Sequence, residues 1–142
     1  MLFARVKRSD PEKVFVVAKN SYSTASLTAG QPVIWDYASE ANGVAVTIPT
    51  AQSGVAAAGI TVGTIAFNAY GLIQCWGYNA DAIVDGGTDV TAGNDLTMNA
   101  AAFELYKKST ASTAVQDHSC GFALAAITAA TAAATAIFVK CL

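Results

Sequence analysis

The stretch TDVTAGNDL, residues 88–96, repeats a pattern already present in ASLTAGQPV, residues 25–33. Each places Thr-Ala-Gly just before a short run that contains apolar residues. Glycine takes the positive backbone angles of a tight turn more readily than any other residue. The pattern therefore predicts the same turn twice, each time leading into a strand.

Two further landmarks follow these turns in the same order. The Thr-Ala-Gly motifs begin at Thr28 and Thr91, AGITVGTI at Ala58 is matched by CGFALAAI at Cys120, and YGLIQCWG at Tyr70 is matched by TAIFVKCL at Thr135. The offset from the first member of each pair to the second is nearly constant. Such landmarks indicate an internal duplication, in which two similar β units cover each other's apolar faces. The predicted units are residues 25–78 and 88–142, approximately.

Strand signals alternate with turn signals along the rest of the chain, and no stretch keeps a helical apolar period. Short runs rich in β-branched and aromatic residues are separated by Gly, Asn and Asp. This predicts one all-β domain over residues 1–142, a sandwich or barrel of short antiparallel strands with an extended N-terminal arm or strand. The predicted strands are 13–20, a hairpin over 33–49 that turns at Asn42-Gly43, 59–65, 70–78, 82–85, 95–98, 102–107, 120–127 and 135–142.

The composition indicates a compact protein with reduced thiols. A chain of 142 residues can bury a substantial core, and with 54% hydrophobic and 13% charged residues it is not typical of disorder. The three cysteines, Cys75, Cys120 and Cys141, show no Cys-x-x-Cys spacing. We therefore expect reduced, buried thiols in a reducing cytoplasm, and no metal or redox motif.

Neither a secretory signal nor a membrane span is predicted. The beginning, MLFARVKRSDPEK, is charged by its fifth residue and has no apolar segment. FALAAITAATAAATAIFV, residues 122–139, is long enough to cross a bilayer, but its Ala and Thr residues gain little from transfer into lipid. We interpret it as two strands joined by an Ala/Thr link, and expect no membrane partner.

Basic residues are concentrated near the beginning of the chain. Residues 1–20 carry five basic and two acidic residues, whereas the remainder carries three basic and eight acidic residues. Such an arm can contact an acidic surface of a partner or of a neighbouring copy. Equally, it can be a solvated strand edge guarded by charge. Direct nucleic-acid binding fits less well, because the basic residues are few and are not interleaved with aromatic ones.

The sequence has few residues suited to catalysis. His118 is the only histidine, and it lies in QDHSC beside Asp117, Ser119 and Cys120. Adjacent residues of a strand point to opposite faces, so this cluster does not predict a catalytic triad. We expect no enzyme activity, no catalytic residue and no cofactor.

Four aspartates recur in a glycine-rich stretch, which raises the question of a cation loop. Asp81, Asp85, Asp89 and Asp95 lack the order of an EF-hand, so no metal site is predicted. Aspartates that bond their own backbone in turns are the commoner explanation. Asp89 and Asp95 are the first place to look for a bound cation.

Two aromatic pairs are the remaining candidates for contacts. Trp35 and Tyr37 lie two residues apart on one predicted strand, and Trp76 and Tyr78 lie two residues apart on another. Each pair is therefore expected on one face. The face is either a patch for subunit contact or sugar stacking, or a part of the core.

Four blocks, taken in order, resemble the small capsid decoration, or cement, proteins of tailed bacteriophages. They are VFVVAKNSYSTASLTAGQPVIWD, AGITVGTIAFNAYGLIQCWGY, DVTAGNDL and GFALAAITAATAAATAIFVKCL. The resemblance implies a β-rich structural protein that binds the outside of an assembled head, commonly as a trimer at local three-fold positions. It also implies stabilisation of the head against the pressure of packaged DNA, and it carries over no catalytic residue.

For this chain, the resemblance implies the major capsid protein as partner, a homotrimer, and a place on the outer capsid surface after synthesis in the host cytoplasm. We predict that capsid or inter-subunit contacts involve Arg5, Lys7, Arg8, Trp35 and Trp76. Two alternatives stay open: another β protein of the virion, such as a tail or head-fibre component, and a carbohydrate-binding adhesion module.

Overall fold

A computed structural model shows that the protein is built from β-strands and turns. It describes residues 12–23, 25–40, 42–49, 56–87, 89–99, 103–108, 118–128 and 131–142. The strands are β1 (Val14–Asn20), β2 (Pro32–Trp35), β3 (Ala45–Thr47), β4 (Ala57–Thr61), β5 (Tyr70–Val84), β6 (Asp95–Met98), β7 (Leu105–Lys107), β8 (Gly121–Ala123) and β9 (Ala133–Lys140). In these ranges no helix has the length and apolar character needed to cross a membrane.

The first five strands close into a barrel. The first part of β5 pairs antiparallel with both β4 and β1. β1 continues in parallel with β3, which pairs antiparallel with β2, and β2 returns to β4. Because each strand has a neighbour on either side, this first ring buries its apolar face in its own interior.

The remaining strands close a second ring through the same β5. The second part of β5 pairs antiparallel with β9. Antiparallel pairing then continues from β9 to β8, from β8 to β6 and from β6 to β7. β7 returns to β5 in parallel, with Val84 opposite Leu105. The all-β class and the barrel architecture predicted from the sequence are confirmed, with two parallel pairings among the antiparallel ones.

The second ring repeats the pairing pattern of the first. In order, β5 to β9 take the places of β1 to β5, and every pairing keeps its sense. An isolated bridge between Leu27 and Ile65 has its counterpart between Val90 and Ile127. The predicted division into sequence units stays a prediction, but the two rings are equivalent in topology.

The Thr-Ala-Gly turns lie at equivalent places and are closed in the same way. In the first, the amide of Thr28 donates to Oε1 of Gln31 at 2.7 Å, and in the second the amide of Thr91 donates to Oδ1 of Asn94 at 2.9 Å. In both copies of the motif, the residue after the glycine therefore closes the turn with a side-chain oxygen that accepts from the backbone.

Each ring has its own core, and two buried isoleucines of the first ring extend into the second core. The first contains Ala18, Leu27, Val33, Val46, Ala58, Ile65 and Ile73. The second is lined by residues such as Val84, Leu96, Met98, Leu105, Ile137 and Val139. Ile34 of β2 and Ile60 of β4 belong to the second cluster although their strands belong to the first ring. Burying such a side chain contributes about 1.5–3 kcal/mol, so these two isoleucines fasten one ring to the other.

One local prediction is wrong and another is confirmed only in part. The strands predicted at 70–78 and 82–85 are one strand, because a register shift between Asn79 and Ala82 lets β5 continue past β9 without a turn. β2 and β3 form the predicted antiparallel pair, and Asn42 and Gly43 lie in a turn, with a positive φ at Gly43. The connection between Trp35 and Ala45 is longer than the predicted two-residue hairpin loop.

Candidate contact surfaces

A cleft of about 340 Å³ opens beside Trp35 and Tyr37. Trp35 ends β2, is half-buried and packs against the core of the first ring. Tyr37 lies in the following turn and is 58% exposed. The structure thus brings the predicted pair together in one cleft, although only Trp35 belongs to a strand.

The carboxylate of Asp36 fixes the turn that carries Tyr37. Oδ2 accepts a hydrogen bond from the Ser21 hydroxyl at 2.6 Å, and Oδ1 accepts one from the Ser39 amide at 3.0 Å. Burial alone would raise the pKa of this carboxyl, but the hydrogen bonds from Ser21, Ser39 and the Ala38 amide together hold it below its ordinary value. Asp36 is therefore a structural anion at the base of the cleft.

Trp76 lies at one end of a second surface, a row of aromatic rings on the outside of the second ring. Its indole meets Phe138 edge to face at 5.2 Å, and Phe138 stacks on Phe122 at 5.3 Å. Nearby, the Lys13 ammonium lies 5.7 Å from the centre of the Tyr78 ring. We call Trp76, Phe138 and Phe122 the aromatic row. All three are half-buried, so the row offers ring edges and faces to a partner while holding β5, β9 and β8 together.

A third surface was not anticipated from the sequence. Five apolar side chains are exposed on the outside of the first ring: Phe15 (42%), Val17 (64%), Val62 (45%), Tyr70 (62%) and Leu72 (47%). We call them the apolar strip. Val17 lies directly opposite Leu72, and the amide of Val62 donates to the Leu72 carbonyl at 3.1 Å, so the strip is continuous across three segments of chain.

One signal in the sequence could have revealed the strip. In VFVV, residues 14–17, the side chains on both faces of the strand are apolar, which is typical of a strand that is covered on both sides. Val16 faces the core of the first ring, while Phe15 and Val17 point outward and are exposed. The second apolar face of β1 is therefore left uncovered by the described part of the chain.

Two aspartates of the glycine-rich stretch accept hydrogen bonds, Asp85 from the local backbone and Asp95 from a distant side chain. Oδ1 of Asp85 accepts from the Gly87 amide at 2.7 Å, and Oδ1 of Asp95 accepts from the Ser119 hydroxyl at 2.7 Å. Asp81 and Asp89 are exposed. Within the ranges that the structure describes, no three His, Cys, Asp or Glu side chains are grouped as metal ligands would be.

Among the described residues of the QDHSC segment, the side chains of His118, Ser119 and Cys120 have different surroundings. His118 is exposed, while the neighbouring Ser119 donates its hydroxyl to Asp95 and to the carbonyl oxygen of Gly121. Cys120 is buried in the core of the second ring. Asp117 lies outside the described residues.

The three cysteines, all within the described ranges, are reduced thiols gathered near the end of β9. The Cys141 thiol donates to the Cys120 carbonyl at 3.5 Å, and the Cys141 amide donates to the Cys75 carbonyl at 2.9 Å. Hydrogen bonding to Cys120, followed by burial, raises the pKa of Cys141, and burial raises that of Cys75. Raised values keep the sulfur protonated, so these two thiols are poor nucleophiles.

Arg5, Lys7 and Arg8 lie outside the described residues, so their predicted contacts stay a prediction.

Comparison with known proteins gives a likeness to a solved structure. No protein-family model and no curated protein matches the sequence. Among solved structures, the head fiber gp8.5 N base of bacteriophage phi29 is similar, with a TM-score of 0.53 and 14% sequence identity. The likeness covers 91% of this chain and 95% of that one. At this identity it establishes that the two chains share a fold over nearly their whole lengths.

Proposed function

We propose that the chain is a structural protein of a phage particle, attached to the outside of the head. The observation that carries the proposal is the fold likeness to a head-fibre base over 91% of the chain. The sequence resemblance to capsid decoration proteins supports the same location on separate grounds, since it depends on motifs and not on coordinates. No catalytic role is part of the proposal.

Two forms of this function are candidates. As a decoration protein, the chain bridges major capsid protein subunits and strengthens the shell. As a head-fibre base, it anchors a projecting structure, and the phi29 likeness favours that form. In both, many weakly bound copies or several linked copies give strong overall attachment, because a second contact made by an anchored copy is intramolecular.

The closed rings limit how the chain can bind. Every named strand pairs on both sides over at least part of its length, so little strand edge is available for adding a foreign strand. Contacts must then come from outward side chains and from the basic arm. The rim of the Trp35 cleft and the aromatic row ending at Trp76 are the faces we assign to the capsid side.

The proposal is tested by binding to heads. Purified chain is mixed with expanded, undecorated heads of the phage that encodes it, and the bound copies per head are counted after sedimentation. We expect saturable binding to heads and none to isolated tails. Binding to tails alone would contradict the proposal, as would failure to bind either particle.

The two forms differ in their effect on the shell. A decoration protein should raise the temperature at which heads release DNA, because it bridges subunits that must separate. A fibre base should saturate without raising that temperature. Cryo-EM density on decorated heads then shows whether the copies lie at three-fold positions.

The basic arm is tested by a matched pair of charge deletions. Replacing Arg5, Lys7 and Arg8 by alanine should lower occupancy on heads, and most at low salt, where charge contacts are strongest. Replacing Lys107 and Lys108 by alanine removes charge from the β7 end of the molecule and is the control. Unchanged occupancy in the arm variant would remove the arm from the proposal.

Carbohydrate binding is a second candidate function, because Trp35 and Tyr37 line one open cleft in which their rings could stack on a sugar. A panel of glycans tested by indole fluorescence separates it from head attachment. We expect no glycan to shift the emission of the wild-type chain, and a saturable shift of Trp35 emission lost in Tyr37→Ala would establish sugar binding.

A further inference from the structure

The apolar strip on the outside of the first ring is larger than the fold requires. The second ring offers a direct comparison, since its strands occupy equivalent places. The amide of Val62 donates to the carbonyl of Leu72, and the equivalent bond runs from Leu124 to Ala136 at 2.9 Å. Leu72 thus corresponds to Ala136, and Tyr70, two positions earlier, corresponds to Ala134. The same sheet geometry is therefore built with alanine where the first ring has exposed leucine and tyrosine.

The strip has the size and character of the centre of a protein interface. With the areas usual for such side chains, the five exposures leave on the order of 400 Å² of apolar surface, within the range of the largest functional patches on monomers. A stable interface buries about 800 Å² on each partner, of which the apolar centre is roughly half. The apolar area of the strip matches the apolar centre of such an interface, and the rest of the buried area would come from a polar rim.

The rim carries charges of both signs. Lys13 immediately precedes β1 and lies near Phe15, and Lys19 lies opposite Tyr70 in the strand pairing. Glu40 pairs with Lys19 at 3.0 Å, and Asp81 lines the same crevice as Lys13 and Phe15. The strip itself contains no charged residue. Two copies brought together by rotation can therefore place apolar surface on apolar surface and opposite charges at the edge.

We propose that the apolar strip is the surface through which the chain binds a second copy of itself. A formal net charge of only −2 opposes such contact weakly. The strip adjoins one end of the aromatic row, because Val14, next to Phe15, lies opposite Trp76, so binding to heads is measured together with oligomeric mass. This inference names a partner for the proposed virion protein but does not depend on head attachment.

The experiment measures oligomeric mass by sedimentation equilibrium of the purified full chain across a wide range of concentrations. We expect a mass that is a multiple of the 14.5 kDa monomer. The double variant Val17→Ala with Leu72→Ala, which gives the strip the alanine character of the second ring, should raise the dissociation constant by about tenfold or more. Leu124→Ala is the control, because it truncates a side chain 41% exposed at the equivalent of Val62, outside the strip.

A thermal melt of each variant shows that it is folded, and Tyr70→Ala provides a second, independent truncation of the strip. A wild-type chain that stays monomeric would overturn the proposal, and so would folded strip variants that associate as tightly as wild type. If the strip variants keep their mass but no longer sediment with heads, the strip binds the capsid instead of a second copy, which also overturns the proposal. A chain that associates through the strip but binds no heads would overturn the proposed function alone.

Discussion

The carbonyl oxygen of Asp81 lies where a side chain at Gly30 would begin, so the first Thr-Ala-Gly turn rests on the strand shared by the two rings. The adjoining amide of Ile83 donates to the Gly30 carbonyl at 2.9 Å. Gly93, the counterpart in the second turn, has nearly the same φ, 88° against 82°, but no atom of the described residues lies within 4 Å of the place a Cβ would take. The same motif thus makes a contact between rings once and faces open space once.

This difference predicts unequal costs for the same substitution. Gly93→Ala should lower the free energy of unfolding by about 1–2 kcal/mol, the cost of a left-handed alanine. Gly30→Ala should cost at least about 2 kcal/mol more, because its methyl group would meet the backbone of Asp81. Equilibrium unfolding in urea measures both. Equal losses would mean that the contact between Gly30 and Asp81 is not held in solution.

Asn20 is fully buried at the end of β1 and should be sensitive to removal of its amide. Its Nδ2 donates to the carbonyls of Ala25 and Ile65, each at 2.9 Å, and its Oδ1 accepts from the Tyr22 amide at 2.8 Å. Asn20→Ala leaves these groups without partners and should cost about 2–4 kcal/mol in urea unfolding. Asn20→Asp should cost at least as much, because a carboxylate would face two carbonyl oxygens.

The exposed Asn42 gives the control for Asn20, and Asn42→Ala should change the free energy of unfolding by less than about 0.5 kcal/mol. A comparable loss in both variants would show that the hydrogen bonds of Asn20 add nothing specific.

Asp36 should make the stability depend on acid pH. Its folded pKa lies below the unfolded value of 3.8, so its ionised form is favoured by folding. The stability that Asp36 contributes is fully present at a pH above its unfolded pKa, and it is lost as the pH falls through its folded pKa. Ser21→Ala removes a hydrogen-bond donor, so it should lower stability at neutral pH and weaken the acid dependence. Melting temperatures from neutral to acid pH test this, and identical slopes in wild type and Ser21→Ala would contradict it.

The thiols should react slowly in the folded protein. Hydrogen bonding and burial raise the pKa of Cys141, and burial raises that of Cys75, so little thiolate is present at mildly alkaline pH. Treatment with Ellman's reagent should give slow release of chromophore until urea is added, and then the full signal of three cysteines. Rapid reaction of one equivalent in the native state, lost in Cys141→Ser, would show that this thiol is not protected.

The sequence predicted the strands well where turn chemistry marks their beginnings. Residues 95–98 form the predicted strand because the Thr91 turn leads directly into it. It failed where long-range pairing decides the outcome. A turn was expected near Asn79, yet β9 pairs with β5 on both sides of that residue and the strand continues through a bulge. No local pattern contains this information, since the partner strand lies near the other end of the chain.

Candidate contact residues were predicted unevenly for a similar reason. Trp35 and Trp76 stand out in a sequence because large aromatic side chains are few, and the structure places both on half-exposed surfaces. The apolar strip does not stand out, because a valine such as Val17 is equally compatible with a strand face that packs on a core and with one that meets solvent. Only the closure of the first ring determines which of the two apolar faces of β1 points outward.

β5 completes both rings with one continuous run of 15 residues. Because the same strand closes both rings, we expect the chain to lose its structure in a single transition with no half-unfolded species. A load applied to one ring also passes into the other along a covalent backbone. For the head attachment proposed above, that makes the pair of rings one mechanical element.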